Sequence, residues 1–150
     1  MWSKRLWLIG LCAMAPQASW AAFILLASTS YDGPASGDDV ARAITLDPSG
    51  NIIVAGDEST SGSGSNWRVR KYNPSLTTLL ATTDYSSAAG GDDVANGVTT
   101  DPAGNVIAVG FGSQLVGPAV AAFWHVRKYD SSLSTLLAST TYVDAIGQVA

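Results

Sequence analysis

Cysteine and histidine are nearly absent from this chain of 150 residues, which contains one of each. A single cysteine forms no internal disulfide, and one histidine supplies neither a Cys-His pair nor a multi-histidine metal site. The sequence also has no glycine-rich phosphate loop of the Walker type. These absences argue against an enzyme, so we expect no catalytic residues and no organic cofactor.

Long apolar runs are missing too, since the longest covers only residues 6–15. A membrane-spanning helix needs about 20 such residues. This run follows a basic stretch and precedes Ser19 and Ala21, whose small side chains fit the cleavage site of a secretory signal peptide. We predict that residues 1–21 are removed, leaving a secreted, periplasmic or cell-surface chain without a membrane span. An uncleaved N-terminal anchor is the alternative.

Positive charge is scarce in the predicted mature chain. Removal of Lys4 and Arg5 leaves six basic residues against twelve acidic ones, a net charge near −6. The removed segment also contains Cys12, so the mature chain has no cysteine. Because a negative chain is repelled by phosphate groups, we expect neither nucleic acid nor an anionic membrane as a partner.

The sequence does contain an internal repeat. Residues 25–56 match residues 79–110 at a spacing of 54, and residues 67–85 match 124–142 at a spacing of 57. The three extra residues fall in the segment 111–123. Self-similarity at such a period is typical of repeat architectures built from one supersecondary unit.

Alternation within each repeat predicts strands. Residues 40–46 place Val40, Arg42, Ile44 and Leu46 alternately with smaller residues, and the copy at 94–100 repeats the pattern. Period-two alternation, without helical spacing elsewhere in the mature chain, predicts an all-β fold. The remaining strands of the first repeat are predicted at Ile52–Gly56, Trp67–Tyr72 and Leu79–Tyr85.

An Asp-Pro-x-Gly-Asn sequence joins the first two predicted strands of each repeat. Asp, Pro and Gly at its first, second and fourth positions favour a type I turn, and the glycine tolerates the positive φ that closes a hairpin. The spacing is not that of an EF-hand calcium loop. We therefore interpret these residues as structural turns: Asp47, Gly50 and Asn51, then Asp101, Gly104 and Asn105.

The blocks DDVARAITLDPSGNIIVAG and DDVANGVTTDPAGNVIAVG resemble the bacterial secreted β-propeller repeat of the SBBP type, and more distantly NHL repeats. The resemblance covers essentially the whole mature chain and implies blades of four antiparallel strands, with residues 40–46 innermost. It implies two complete blades, at 40–85 and 94–142, after a stray outer strand at 23–31. Residues 143–150 would begin a further blade. The family carries no single activity to transfer.

Two blades would leave two sheet faces uncovered, whereas propellers usually contain four to eight blades. Exposed apolar faces predict association. Two interpretations are open. Further blades belong to a longer polypeptide, or several copies of the chain close a ring, with the stray strand completing a neighbour's blade.

Acidic pairs stand immediately before the innermost predicted strand of each repeat. Near the central axis of a ring, their carboxylates could bind calcium or another divalent cation through oxygen ligands. They could instead cap backbone N–H groups at a turn. The residues of this candidate ligand or metal site are Asp38, Asp39, Asp92 and Asp93.

The connections between the second and third predicted strands differ most between the repeats. Residues 57–66 are polar and rich in Gly and Ser, whereas residues 111–123 are apolar. Loops on a rigid scaffold often carry binding residues. We therefore name Leu115, Val116 and Phe123 as candidate ligand contacts, with packing over a blade edge as the alternative.

Together these patterns predict a non-catalytic, secreted β-propeller segment with a binding or scaffold role at the cell envelope or outside the cell. Its ligand would be a protein or a carbohydrate. One alternative is a cation- or carbohydrate-binding module that forms on ring closure. Another is the N-terminal fragment of a propeller lyase or hydrolase whose catalytic residues lie on other blades.

Overall fold

Every regular element of the structure, a computed structural model, is a β-strand. The prediction of an all-β fold is therefore confirmed. The predicted signal peptide (1–21) and residues 144–150 of the predicted further blade lie outside the described residues. The structure describes residues 24–35, 37–62, 64–87, 90–116 and 119–143.

Eight strands form two separate antiparallel sheets of four strands, each in simple chain order. The first sheet consists of β1 (Val40–Leu46), β2 (Ile52–Ser59), β3 (Ser65–Tyr72) and β4 (Leu79–Tyr85). The second consists of β5 (Val94–Thr100), β6 (Val106–Val116), β7 (Ala119–Tyr129) and β8 (Leu136–Tyr142). Within the described residues neither sheet closes on itself.

The central strands are longer than the sequence predicts. In the first sheet β2 continues to Ser59 and β3 begins at Ser65, so half of the polar connection 57–66 is strand. In the second sheet the ladder runs unbroken from Val106 to Val116. The loop prediction for 111–123 is therefore wrong for most of that segment, because its β-branched and aromatic residues pair across the hairpin.

A β-bulge interrupts the first strand of each sheet. Ala41 pairs with Gly56 and Ala43 with Ala55, which leaves Arg42 as the extra residue. The predicted alternation therefore fails at this point, and Val40 lies on the opposite face from Ile44. A Cβ at Gly56 would collide with the carbonyl group of Val40, so only glycine permits this close approach.

The same device recurs in the second sheet. There the shift falls between Ala95 and Gly97, and Asn96 is the extra residue. A Cβ at Gly110 would collide with the carbonyl oxygen of Val94. Because both the bulge and the facing glycine recur at a spacing of 54, they belong to the repeat rather than to one sheet.

Residues 24–31, predicted as an outer strand together with residue 23, form no strand in the structure. A strand needs a neighbour for its backbone N–H and C=O groups, and this segment pairs with no strand of either sheet. Its end nevertheless follows the repeat. The ring of Tyr31 lies under the Arg70 guanidinium at 4.0 Å, as the ring of Tyr85 lies under Arg127 at 4.4 Å.

The two sheets pack face to face, with β5 contacting β1, β2 and β3. The indole of Trp67 is 1% exposed, and its Nε1 donates a hydrogen bond of 2.6 Å to the carbonyl oxygen of Phe111. The largest fully buried side chain thus has its one polar group satisfied. The core of the contact comprises Ile53, Ala55, Trp67, Val69, Ala95, Val106, Ala108, Tyr129 and Leu133.

Gly56→Ala tests the close approach at the bulge. The added methyl group collides with the Val40 carbonyl, so we expect the free energy of unfolding to fall by about 2 kcal/mol or more. Gly62→Ala is the matched control, since no heavy atom lies within 4 Å of its added Cβ, and should change stability by less than about 0.5 kcal/mol. Urea titration followed by tryptophan fluorescence measures both, and equal midpoints would contradict the interpretation.

Candidate binding cleft

A cleft of about 530 Å³ opens between the two sheets where β1 and β5 begin. Most of its lining is polar, and its larger apolar members are Val40, Val94 and Phe111. It is therefore a surface that offers hydrogen-bond donors and acceptors beside one apolar patch. The polar lining residues are Asp38, Arg42, Asp57, Ser59, Ser65, Asp92 and Asn96.

The two bulges supply the cleft with Arg42 and Asn96. Because each is the extra residue of its strand, it is free of the ladder's strict alternation, and both line the cleft. The Nε of Arg42 donates a hydrogen bond to Asp57 Oδ1, which forms an ion pair on the cleft wall. Asp57 itself is 8% exposed, so the pair stands at the border between the cleft and the core.

Asp38 and Asp92 line this cleft together. Oδ1 of Asp92 accepts hydrogen bonds from the Ser65 amide at 3.0 Å and from the Ser65 hydroxyl at 3.4 Å. The carboxylate therefore ties the start of β3 to the start of the second sheet. The carboxylate of Asp38 accepts no hydrogen bond from the described residues, and it is exposed. Asp38 is thus the carboxylate most available to a ligand.

Asp39 and Asp93 have a different role. The two carboxylate oxygens of Asp39 accept hydrogen bonds from the backbone amides of Gly33 and of Ser59, the latter at 3.1 Å. Asp93, which is fully buried, accepts from the amides of Ser87 and of Ser113, the latter at 2.7 Å. Each carboxylate therefore accepts hydrogen bonds from backbone N–H groups, as the capping alternative predicts. Both oxygens of each carboxylate are used in this way, so none is free for a ligand in the cleft.

A metal site is not assembled by these acidic residues. Calcium takes six to eight oxygen ligands, and its sites combine several carboxylates with carbonyl groups. Within the described ranges, no group of three or more His, Cys, Asp or Glu side chains is placed to hold a metal ion. The cleft brings together only Asp38, Asp57 and Asp92, and two of these three already have protein partners.

The three apolar candidates lie outside this cleft. Leu115 and Val116, which are 63% and 38% exposed, stand near the end of the β6–β7 hairpin. Phe123 is 7% exposed and packs against His125, with 5.5 Å between the ring centroids. The structure therefore separates Phe123, a core residue, from the two exposed side chains.

His125 is buried between the sheets among aromatic rings. Its centroid lies 4.5 Å from that of Tyr85 and 5.5 Å from that of Trp67, and neither ring nitrogen has a hydrogen-bond partner among the described residues. Burial, together with the nearby Arg127 guanidinium, lowers its pKa, although Asp93 acts in the opposite direction. The imidazole is therefore neutral at pH 7 and packs as an aromatic residue.

The Asp-Pro-x-Gly-Asn segments form hairpin turns. The amide of Gly50 donates to the Asp47 carbonyl at 2.9 Å, and the φ of Gly50 is 77°. Oδ1 of Asp47 accepts from the amides of Ser49 and Asn51, and Oδ2 accepts from the Asn51 side chain at 2.8 Å. The second repeat has the same bonds at Asp101, Gly104 and Asn105.

Each turn aspartate also forms an ion pair with a lysine of the third strand. Lys71 Nζ lies 2.8 Å from Asp47 Oδ2 and donates across the sheet contact to the carbonyl oxygen of Ser131 at 2.7 Å. Burial opposes ionisation of Asp47, but the hydrogen bonds from Lys71 and Asn51 outweigh it and lower its pKa from 3.8 to about 2.

Asp47→Asn tests this ion pair. At pH 7 we expect the variant to lose roughly 1–3 kcal/mol of stability, because Lys71 is left buried without its counter-charge. Since the folded pKa of about 2 lies below the unfolded value of 3.8, the contribution of Asp47 is complete above about pH 4. It is lost as the pH falls through about 2. The difference between variant and wild type, measured by urea unfolding at several pH values, should therefore shrink between pH 4 and 2, and a constant difference would contradict this.

Sequence reasoning missed the cleft residues Arg42, Asp57, Asn96 and Phe111. A usable signal was present, because Arg42 aligns with Asn96 and Asp57 with Phe111 at a spacing of 54. Positions that differ between otherwise matching repeats are candidates for a specific task. Regular alternation hides this signal, because it predicts that Arg42 lies on the same face as Ile44.

No helix long and apolar enough to cross a membrane occurs among the described residues. Comparisons with protein-family models, with curated proteins and with solved structures give no match for this chain. The resemblance to SBBP-type repeats therefore stays a prediction.

Proposed function

We propose that this chain is a non-catalytic, secreted β-propeller repeat segment whose cleft binds a neutral, hydroxyl-rich ligand such as a carbohydrate. The proposal depends on one observation, which concerns the lining of the cleft between the starts of β1 and β5. This cleft is lined by Arg42 and Asn96, which differ between two otherwise similar repeats. A role shared by both repeats would require the same residue at both positions.

The propeller assignment is supported by the arrangement of the two sheets. Each has four antiparallel strands in chain order, and the second sheet packs on one face of the first. Propeller blades have this strand order and stack in this way around an axis. The first strands, β1 and β5, are neighbours in space, as innermost strands of adjacent blades would be. Secretion rests on the signal-peptide pattern of residues 1–21.

The chemistry of the lining favours a ligand with many hydroxyl groups. Hydroxyls both donate and accept hydrogen bonds, so they suit a wall that combines guanidinium, amide and carboxylate groups. The exposed carboxylate of Asp38 and the carboxylate of Asp92 disfavour an anionic ligand, while the Arg42–Asp57 ion pair adds little net charge. Val40, which is 39% exposed, adds apolar surface to the lining for the C–H groups of a sugar ring.

A non-catalytic role is supported by the position of His125. It is the sole histidine of the chain and is buried among aromatic rings instead of lining the cleft. The carboxylates of the cleft are committed to Arg42 and Ser65, with the exception of Asp38. A single free carboxylate is one fewer than the two that glycoside hydrolysis generally uses.

Binding of the full chain to an array of neutral oligosaccharides tests the proposal. We expect binding in the presence of EDTA, and we expect Arg42→Ala to weaken it by about tenfold through loss of a charged donor. Asp84→Ala is the control, because Asp84 is exposed on β4 and does not line the cleft.

Two other results would change the assignment. Binding that requires calcium would favour the cation-dependent module, with Asp38 and Asp92 as the first ligands to replace by Asn. Absence of binding to every neutral oligosaccharide, or binding that Arg42→Ala leaves unchanged, would contradict the assignment of this cleft.

A further inference from the structure

The second sheet has one covered face and one bare face. We call the bare face the tail face and define it by Val109, Trp124, Val126 and Tyr142, which lie on one side of the sheet. Trp124 is 59% exposed, Tyr142 is 53% exposed, and a groove of about 380 Å³ runs beside Trp124. Trp67, the equivalent of Trp124 in the first sheet, is 1% exposed because the second sheet covers it.

The other face of the first sheet is not covered by the second sheet, although Tyr31 lies over part of it. We call it the head face and define it by Ile44, Leu46, Val54 and Arg70. Ile44 and Leu46 are 68% and 58% exposed. The equivalent of Ile44 in the second sheet is Val98, which packs against the core between the sheets.

The tail face resembles the surface that the first sheet presents to the second, and the head face resembles the surface that the second sheet presents to the first. Tail-face residues repeat the first sheet's side of the contact between the sheets, with Trp124 for Trp67 and Tyr142 for Tyr85. Head-face residues repeat the second sheet's side, with Ile44 for Val98 and Arg70 for Arg127. One chain therefore carries both surfaces needed to continue the stack, and a second copy supplies the missing partner of each.

We infer that a second copy of this chain docks its head face on the tail face, in the geometry with which the second sheet packs on the first. Trp124 Nε1 would then donate to the carbonyl oxygen of Asp57 in the second copy, as Trp67 Nε1 donates to Phe111. Such a contact joins two different surfaces, so it closes into a ring if the rotation allows and otherwise continues as a filament. A ring of two to four copies would contain four to eight sheets.

The segment that contains Tyr31 competes with this docking. Tyr31 occupies the face of Arg70, and its hydroxyl donates to Glu58. In a head-to-tail pair, Tyr142 of the second copy would take the same place, since Tyr85 occupies it within the chain. The segment must therefore leave Arg70 before two copies join fully.

Complementation between two variants tests the inference directly. Trp124→Glu places a charge on the tail face and Ile44→Glu on the head face, and both side chains are exposed in the single chain. In light scattering after size exclusion, we expect the full-length wild type to assemble and each variant alone to remain a monomer. Their mixture should form a one-to-one dimer and nothing larger, because one intact head and one intact tail remain.

Val109→Glu serves as a second tail-face variant should Trp124→Glu fail to fold, which circular dichroism would reveal. A wild type that is monomeric at every concentration would overturn the inference and would mean that sheets of a longer polypeptide or another protein cover these faces. A mixture that stays monomeric would overturn the head-to-tail geometry. Neither result bears on oligosaccharide binding, which is measured separately.

Tyr31→Ala tests the competition. Removal of the ring frees Arg70, so the dissociation constant of the assembly should fall by roughly two- to fivefold, in line with the loss of one cation–π contact. Tyr31→Phe is the matched control, because it keeps the ring and removes only the hydroxyl. Weaker assembly by Tyr31→Ala would show that the segment supports docking instead of opposing it.

Discussion

The indole of Trp67 holds the two sheets together, and most of the molecule's other features depend on that contact. Its burial and its hydrogen bond to the Phe111 carbonyl fix both the distance and the orientation of the second sheet. The starts of β1 and β5 are thereby set side by side, and the cleft is the space between them. The same contact explains why the Lys71 side chain is 10% exposed while that of its equivalent, Lys128, is 36% exposed, since the second sheet covers only Lys71.

Around that contact, short polar side chains of each repeat hold the backbone in place and do not face the cleft. Asp39 and Asp93 each join the amide of the preceding connection to an amide of β2 or β6, so the first strand starts at a fixed place. The bulge that follows then turns one side chain per sheet into the cleft. Because this frame recurs, the side chains it presents can change, as Arg42 and Asn96 show, without altering the fold.

The sequence predicted the architecture better than the site, for a physical reason. Strand periodicity and turn chemistry are local, so β1, β4 and the turns at Asp47 and Asp101 could be located from a few neighbouring residues. The bulge at Arg42 depends on Gly56, which is 14 positions away in another strand, so the residues next to Arg42 do not predict the bulge. Asp39 and Asp93 likewise each have one hydrogen-bond partner 20 positions away. Phe123 resembled an exposed loop residue because its burial depends on the other sheet.

The two repeats also differ in the polarity of the surface that each sheet presents on its head-face side. In the first sheet Arg68 pairs with Glu58, whereas the equivalent positions in the second sheet are His125 and Gly112. Glycine there leaves room for Phe123, so an ion pair is replaced by aromatic packing where the second sheet meets the first. The head face keeps the ion pair, so a copy docked on it would pack against Arg68 and Glu58, whose side chains are 19% and 6% exposed. Contacts between copies in the proposed assembly would thus be more polar than the contact within the chain, and obligate interfaces are the more apolar ones. An assembly built on the head face should dissociate on dilution while the two sheets of each chain stay packed.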